Sequence, residues 1–475
     1  MTEGRIDMKN KKIRINKITL NDLKSVANGT IHLSAADSLR QEKANIMGLY
    51  GQNASGKTVV IEALAIIKIV MSGGKIPPHY MGIIANGKDE CSIEVEFLVV
   101  NEEYNTDCTA IYKCALAYRN DPNDTDEEDP KKLLAVVSER LRVRGTINGE
   151  RVSLQDVART DESCSLILPA EKCTMLFGTN QSALKALEQQ KILALYGSRS
   201  FIFSSQAING MRQAVETGEE HYKFWAPTFI LYLNLYAKLY LSVIDGRVGH
   251  NLHFHIMKNQ KELRIPMRIP FLLNDSIKMN KDGIDEVVSL LPPLNHVLSG
   301  IVPGLTLGYE YEKISLDESD ESYRLEFYSH RDGLGSFPFR DESLGIKKIV
   351  SFIVLLIEAY NNPSFTLAID EMDSGIFEYL LGEILDIMGS SGKGQLLFTS
   401  HNLRPLERLD PRFVWFTTAD PVNRYAQMKK KPKATNNLRD MYLRAIQLGH
   451  EDKELYNGDS KHALAHAFRK MGRTE

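Results

Sequence analysis

Gly51-Gln52-Asn53-Ala54-Ser55-Gly56-Lys57-Thr58 fills every fixed position of the phosphate-loop pattern G-x-x-x-x-G-K-[ST]. Upstream, Ala44 to Tyr50 reads as a short apolar strand. Downstream, Val59 to Met71 reads as a buried helix. Strand, glycine-rich turn and helix in that order are the context the pattern requires. The glycines let the backbone turn tightly and aim the N–H groups of Asn53, Ala54 and Ser55 at one phosphate. The helix N-terminus adds a partial positive charge at the same place. Lys57 is placed to reach the β/γ-phosphates, and the Thr58 hydroxyl to ligate Mg²⁺. The bland alternative is a loop that only connects strand to helix. The lysine, the hydroxyl and the context together weigh against it.

Working outward, the chain has 475 residues, room for two or three domains. Hydrophobic residues make up 43% and charged residues 25%, as in ordinary soluble globular proteins. A formal net charge of −3 gives no global basic field for nucleic acid, although a local patch can still exist. Cys91, Cys108, Cys114, Cys164 and Cys173 show no CxxC spacing, which points to reduced thiols rather than a zinc site or a disulfide framework. The N-terminus is charged and lacks an apolar core of the signal-peptide kind. The apolar run Phe229 to Ile244 is broken by Asn234 and Lys238 and reads as a buried helix, not a membrane span. Cytoplasmic residence is the expectation by elimination.

Residues 12–33 alternate as strands do, with Ile13, Ile15, Ile18 and Leu20, then Ile31 and Leu33. From Cys91 to about Phe177 the pattern stays β-like. There Ile93, Val95 and Phe97 oppose Glu94 and Glu96, the mark of a sheet with one wet face. Asn148-Gly149 signals a hairpin. From about Asn180 to Asp285 helical periodicity takes over. His221, His250, His253 and His255 in that stretch have no known metal-ligand spacing. Strands and helices then alternate to about residue 420, which argues for a parallel sheet covered by helices. The tail from Lys429 is basic and then helical in pattern. The expected fold is α/β with four parts. Residues 1–179 form a lobe with the phosphate loop and an antiparallel β subdomain, and 180–285 a helical insertion. Residues 286–425 form a second lobe, and 426–475 a tail.

Three further stretches carry chemistry. Thr366-Leu-Ala-Ile-Asp370-Glu371 is an apolar strand ending in two carboxylates. Asp370 is placed to hold the Mg²⁺ shell and Glu371 to act on the water that attacks the γ-phosphate. Thr399-Ser400-His401-Asn402 closes the next strand and offers His401 to the γ-phosphate. Ser343 and Gly345, in Glu-Ser-Leu-Gly-Ile-Lys-Lys at the start of an apolar helix, form an anion site or an ordinary N-cap.

Together these motifs resemble the ABC-type ATPase heads of the SMC and RecF kind. The order matches: phosphate loop, long insertion, signature, Walker B, D-loop, H-motif. Ile18 to Ser25 looks like the opening strand and turn of that group. The resemblance implies an ABC-type P-loop head, with a mixed sheet and an antiparallel β subdomain, that binds ATP and Mg²⁺. It implies catalytic roles for Glu371 and His401. It also implies that Ser343 and Gly345 complete the nucleotide site of a second subunit, with Asp373-Ser374-Gly375 as the D-loop at that interface. The signature is ESLGIKK rather than LSGGQ, and no glutamine lies between Thr58 and Cys114 to serve as a Q-loop. The subgroup it most resembles is the single-chain ATPases of bacterial anti-phage defence, of the RloA, PtuA and PARIS AriA kind. There a homodimer or higher homo-oligomer senses a phage product and controls a separate nuclease or toxin.

The alternative is a RecF- or SMC-like repair or chromosome-maintenance ATPase, for which Arg140, Arg142, Arg144 and Lys429 to Lys433 would supply a DNA patch. A self-contained nuclease is disfavoured, because the carboxylate cluster Asp317 to Glu321 sits in a polar stretch. The phosphate-loop reading has a direct test in Lys57→Ala. ATP at ~100 times its Kd should stabilise the parent by about 2.7 kcal/mol in a thermal melt. The variant should show no such shift, and an equal shift would remove Lys57 as a phosphate ligand.

Overall fold

The computed structural model describes residues 11–121, 124, 130–217, 225–245, 251–260, 263–272, 277–314, 322–333, 335–374, 376–407, 409–427 and 439. In chain order the N-terminal part runs β1 (Lys11–Leu23), β2 (Val26–His32), α1 (Ala35–Arg40), β3 (Asn45–Tyr50) and α2 (Lys57–Met71). Next come β4 (Glu90–Asn101), β5 (Thr106–Asn120), β6 (Lys132–Ile147) and β7 (Glu150–Asp161). Then follow α3 (Glu171–Phe177), α4 (Gln181–Tyr196), α5 (Ser205–Thr217), α6 (Trp225–Leu235) and β8 (Leu241–Ile244). The remainder opens with β9 (Asn251–Gln260), β10 (Leu263–Leu272), β11 (Ile277–Met279), α7 (Lys281–Ile301), β12 (Leu305–Lys313), β13 (Tyr323–Arg331) and β14 (Gly335–Pro338). It closes with α8 (Leu344–Asn361), β15 (Thr366–Ile369), α9 (Glu378–Ser391), β16 (Gln395–Thr399), β17 (Val414–Thr417) and β18 (Tyr425–Gln427).

Two six-stranded sheets organise the molecule. One has the order β2-β1-β4-β5-β6-β7 and is antiparallel throughout. The other has the order β18-β17-β3-β16-β15-β8 and is parallel except at β18. In β1 the apolar residues buried along its length include Ile13, Ile15, Ile18 and Leu20. A bulge between Ile15 and Lys17 absorbs the extra residue and keeps all four on the inner face. Glu94 and Glu96, on the other face of β4, meet Arg142 at 3.0 Å and Lys17 at 3.5 Å. Asn148 and Gly149 take φ of 50° and 82°, as the tight turn between β6 and β7 requires.

Helix α2 lies between the two sheets and is buried almost all round, with Val60, Ile61, Ala63, Leu64, Ile66 and Ile67 fully buried. A second apolar core fills the other face of the parallel sheet, under α7, α8 and α9. The sheets are stitched together by Gln395 of β16, which is fully buried. Its amide donates to Ile15 O at 2.7 Å and to Asn45 Oδ1 at 2.8 Å. Its carbonyl accepts from Ile15 N at 3.2 Å and Thr366 Oγ1 at 3.0 Å. All four hydrogen-bonding positions of the side chain are used.

The stretch 180–285, expected to be helical, is helical in its first part and again from Lys281, where α7 begins. Leu241–Ile244 instead forms the outer strand of the parallel sheet, beside β15, and Asn251–Gln260 with Leu263–Leu272 forms an antiparallel hairpin. A short apolar run such as Leu241-Ser-Val-Ile244 fits helix and strand equally by period, and the partner strand decides. Leu252, Phe254 and Ile256 alternate as a strand does, a signal the histidines between them obscured. The β-like stretch from Cys91 also ends earlier than expected, at Asp161, and Glu171–Phe177 is a helix. His221, His250, the cluster Asp317 to Glu321 and the basic run Lys429 to Lys433 fall outside the described residues, as does the tail beyond Gln427 apart from Arg439. Among the described residues, no helix is long and apolar enough to cross a membrane.

Gln395→Leu should leave the Ile15 peptide and the Asn45 amide without their partner at the seam. Losing these buried bonds should cost about 3 kcal/mol, read as a fall in urea midpoint. An unchanged midpoint would mean that the seam does not depend on this amide.

Candidate nucleotide site

The phosphate loop leaves the C-terminal end of β3 and enters α2. Gly51, Ala54 and Gly56 take φ of 156°, 60° and 98°. Two of these three are glycines, as the left-handed turn favours. Gly51 is required for a second reason, since a Cβ there would lie 1.7 Å from Thr417 Oγ1. Thr417, at the end of β17, donates to Ser55 Oγ at 2.6 Å, and Ser55 donates to Gln52 O at 2.6 Å. Tyr425 of β18 donates to Gly56 O at 2.8 Å. The neighbouring strands thus hold the loop in shape, with Asn53 and Ala54 exposed at its tip.

Lys57 is 5% exposed, and its Nζ donates to Gly51 O at 2.7 Å and Gln52 O at 2.6 Å. Burial pulls its pKa down, while Asp370, Glu371 and Asp373 pull it up. A cation at the mouth of a helix N-terminus, set against three carboxylates, is suited to the γ end of a triphosphate.

The structure brings the loop and the Walker B carboxylates together from 312 positions apart. Thr58 Oγ1 donates to Asp370 Oδ1 at 3.3 Å. Strand β16 lies between β3 and β15, and Thr399 at its end bonds both carboxylate residues that follow β15. Its Oγ1 donates to Asp370 Oδ1 at 2.5 Å and accepts from Glu371 N at 2.8 Å. Glu371 is exposed and has φ of 48°, a left-handed conformation that costs a non-glycine residue about 1–2 kcal/mol. It is held there by the Thr399 hydroxyl on its N–H and by Lys348 Nζ and Ser374 N on its carbonyl, at 2.9 and 3.0 Å. Thr399 was legible in the sequence as part of the strand before His401. Its role was not, because the role depends on strand order.

Asp373 faces inward. Its Oδ2 accepts from His401 N at 3.1 Å and Asn402 N at 2.9 Å, tying the D-loop to the H-motif of the same chain. Its Oδ1 and the Tyr50 hydroxyl are buried without hydrogen bonds among the described residues. The Asp373 charge adds to burial in pushing the Tyr50 phenol well up. The His401 side chain is exposed. Ser343 is exposed and caps α8, its Oγ accepting from Ile346 N at 3.3 Å, and Gly345 follows in the first turn. The site geometry therefore gathers Thr58, Asp370, Glu371 and Asp373 around Lys57, while Ser343 and Gly345 occupy a separate helix start. Gly375 of the D-loop lies outside the described residues.

Among the described residues, no group of three or more His, Cys, Asp or Glu side chains forms a metal cage. A Mg²⁺ carried by a nucleotide does not need one. It keeps several waters and takes a carboxylate or hydroxyl plus phosphate oxygens, which Thr58 and Asp370 fit.

Strand order and site together make this an α/β protein in which a phosphate loop and a two-carboxylate strand end meet at one end of a parallel sheet. Residues 249–407, one third of the chain, match the family described as "AAA domain, putative AbiEii toxin, Type IV TA system". No curated protein matches the chain. Among solved structures, an Smc head bound to the C-terminal winged-helix domain of ScpA is 12% identical, with 87% of this chain and 97% of that one covered and a TM-score of 0.40. The SMC head domain from Thermotoga maritima is 14% identical, with 88% and 100% covered and a TM-score of 0.34. The recombination mediator RecF bound to ATP is 11% identical, with 88% and 100% covered and a TM-score of 0.37.

Thr399→Val keeps shape and removes both hydrogen bonds. It should lower kcat about 10- to 100-fold, as loosening a reacting group does, with ATP affinity little changed. Thr399→Ser should restore most of the rate. A valine variant at the parent rate would show that Glu371 is placed by other means.

Proposed function

We propose that this protein binds ATP with Mg²⁺, hydrolyses the γ-phosphate, and works as a dimer of heads that closes on the nucleotide. The observation that carries this reading is the Thr58–Asp370 contact at 3.3 Å, with Glu371 fixed beside it and Lys57 buried at the head of α2. Bound Mg²⁺ would supply charge neutralisation for the phosphates. Thr58 and Asp370 would hold it. Glu371, exposed at the strand end, would orient or deprotonate the attacking water. His401 would contact the γ-phosphate. At an exposed helix N-terminus, Ser343 through its hydroxyl and Gly345 through its N–H would meet the triphosphate of a second copy. Asp373 would stand at the same seam. Loss of the γ-phosphate removes contacts made only in the closed pair, so hydrolysis opens it.

The further reading is a switch in bacterial anti-phage defence that answers a phage-derived trigger and controls a separate effector, a nuclease or toxin. It rests on the motif resemblance to defence ATPases, and the family matched by residues 249–407 carries a toxin–antitoxin description that agrees with it. The DNA-repair alternative loses part of its support. Arg140 faces Asp156 at 2.6 Å and Arg142 faces Glu94 at 3.0 Å, so each guanidinium would have to leave a carboxylate to reach a DNA phosphate. Cytoplasmic action follows from this role.

Glu371→Gln should bind ATP, turn it over at least about 100-fold more slowly, and accumulate a dimer in light scattering. Ser343→Arg should bind ATP and stay monomeric. Parent-rate hydrolysis by the glutamine variant would exclude Glu371 as the catalytic carboxylate. Normal ATPase activity of the arginine variant would exclude the paired site.

A further inference from the structure

Lys348 stands apart from the residues so far given roles. It lies on α8, five residues after the Ser343 cap, about 7.5 Å further along the helix axis. Its Nζ donates to Glu371 O at 2.9 Å. That carbonyl also accepts from Ser374 N, so it begins the turn that runs from the catalytic strand to Asp373. Asp370, Glu371 and Asp373 all attract the Lys348 ammonium, and burial opposes them. One side chain therefore joins the signature helix to the turn that carries the carboxylate chemistry.

The other end of this connection is stiff. Glu342, immediately before the cap, is buried and accepts from both Arg331 Nη2 (3.0 and 2.9 Å) and Ser329 Oγ (2.6 Å) of β13. Lys347 is also buried and donates to Arg340 O at 2.5 Å. Ser343 thus sits on a helix start strapped to the neighbouring sheet, and Lys348 projects from the same rigid helix to the catalytic turn. Glu371 itself is in a left-handed conformation that its surroundings must impose. A residue under such strain responds to small shifts in what holds it.

We propose that Lys348 is a positioning residue linking the Ser343 end of α8 to Glu371 of the same chain. Docking of a second copy on Ser343 then sets the place of Glu371 in the copy that offers the serine. The two nucleotide sites of a closed pair are coupled through this lysine. Each chain senses across the seam with Ser343 and responds with its own Glu371. The inference rests on the paired-head reading for its first half. Its second half, the hold of Lys348 on Glu371, stands without it.

The test compares Lys348→Met and Lys348→Arg in the full chain by ATPase kinetics, fluorescent-nucleotide binding and light scattering. The methionine variant should lose about 10- to 100-fold in kcat, with ATP affinity and ATP-driven pairing kept, and the arginine variant should recover most of the rate. A loss of affinity that matches the loss of rate would make Lys348 a binding charge and overturn the proposal. So would a methionine variant with parent kinetics. Should the methionine variant fail to fold, Lys348→Gln, with a shorter donor, should give an intermediate kcat, and a parent-like kcat there would also overturn it. In doubly tagged mixed pairs with Lys57→Ala in one chain, only one site works. K348M should slow that site when carried by the chain supplying Lys57 and Glu371. Equal slowing from the chain supplying only Ser343 would contradict a link within one chain. Normal hydrolysis by S343R beside a slow K348M would remove the paired heads and leave the Lys348–Glu371 hold. Parent-like K348M beside a blocked S343R would do the reverse.

Discussion

A strand inserted between two others is the constraint on which this site depends. β16 separates the phosphate-loop strand from the Walker B strand, and all three run parallel. Parallel strands end on the same side of a sheet, so the loop after β3, the carboxylates after β15 and the H-motif after β16 emerge together. The insertion also places a hydroxyl beside the two carboxylate residues that follow β15. Thr399 satisfies one oxygen of Asp370 and the N–H of Glu371 with a single side chain. Without that strand order, Thr58 and Asp370 would be polar residues at unrelated ends of the chain.

The rest of the fold supports this arrangement from four directions. From the edge of the sheet, Thr417 and Tyr425 brace the phosphate loop and leave no room for a side chain at Gly51. From below, Gln395 ties β16 to β1 and so locks the parallel sheet to the antiparallel one. Between the sheets, α2 is buried on nearly every side, and its fixed position fixes the direction of its N-terminus. From the far face, α8 reaches the turn after β15 through Lys348. Polar groups at each of these junctions are hydrogen-bonded, which is what makes a buried polar seam specify one geometry.

Charge is distributed to match. Lys57 and Lys348 approach the same three carboxylates from opposite elements, and both are pulled toward neutrality by burial. Added negative charge from a triphosphate would fall closest to Lys57, at the positive end of α2. On the antiparallel subdomain, by contrast, Arg140 and Arg142 are matched by Asp156 and Glu94, so its charges serve the sheet face itself.

Local residue patterns are enough to read the phosphate loop, the two-carboxylate strand end, the alternating face of β4 and the hairpin at Asn148-Gly149. Each of these is local, since spacing, glycine placement and hydrophobic period carry it within a dozen residues. Such patterns do not show that Leu241–Ile244 is a sheet strand, because four residues are too few to carry a period and only the hydrogen bonds to β15 make them a strand. Nor do they show that Asp373 turns to the H-motif backbone, that Thr399 serves two carboxylate residues, or that Lys348 reaches Glu371. Those contacts join segments more than twenty residues apart, through side chains whose types are common everywhere. Tertiary structure alone decided them, because a hydrogen bond depends on where two groups end up in space, and distance along the chain says little about that.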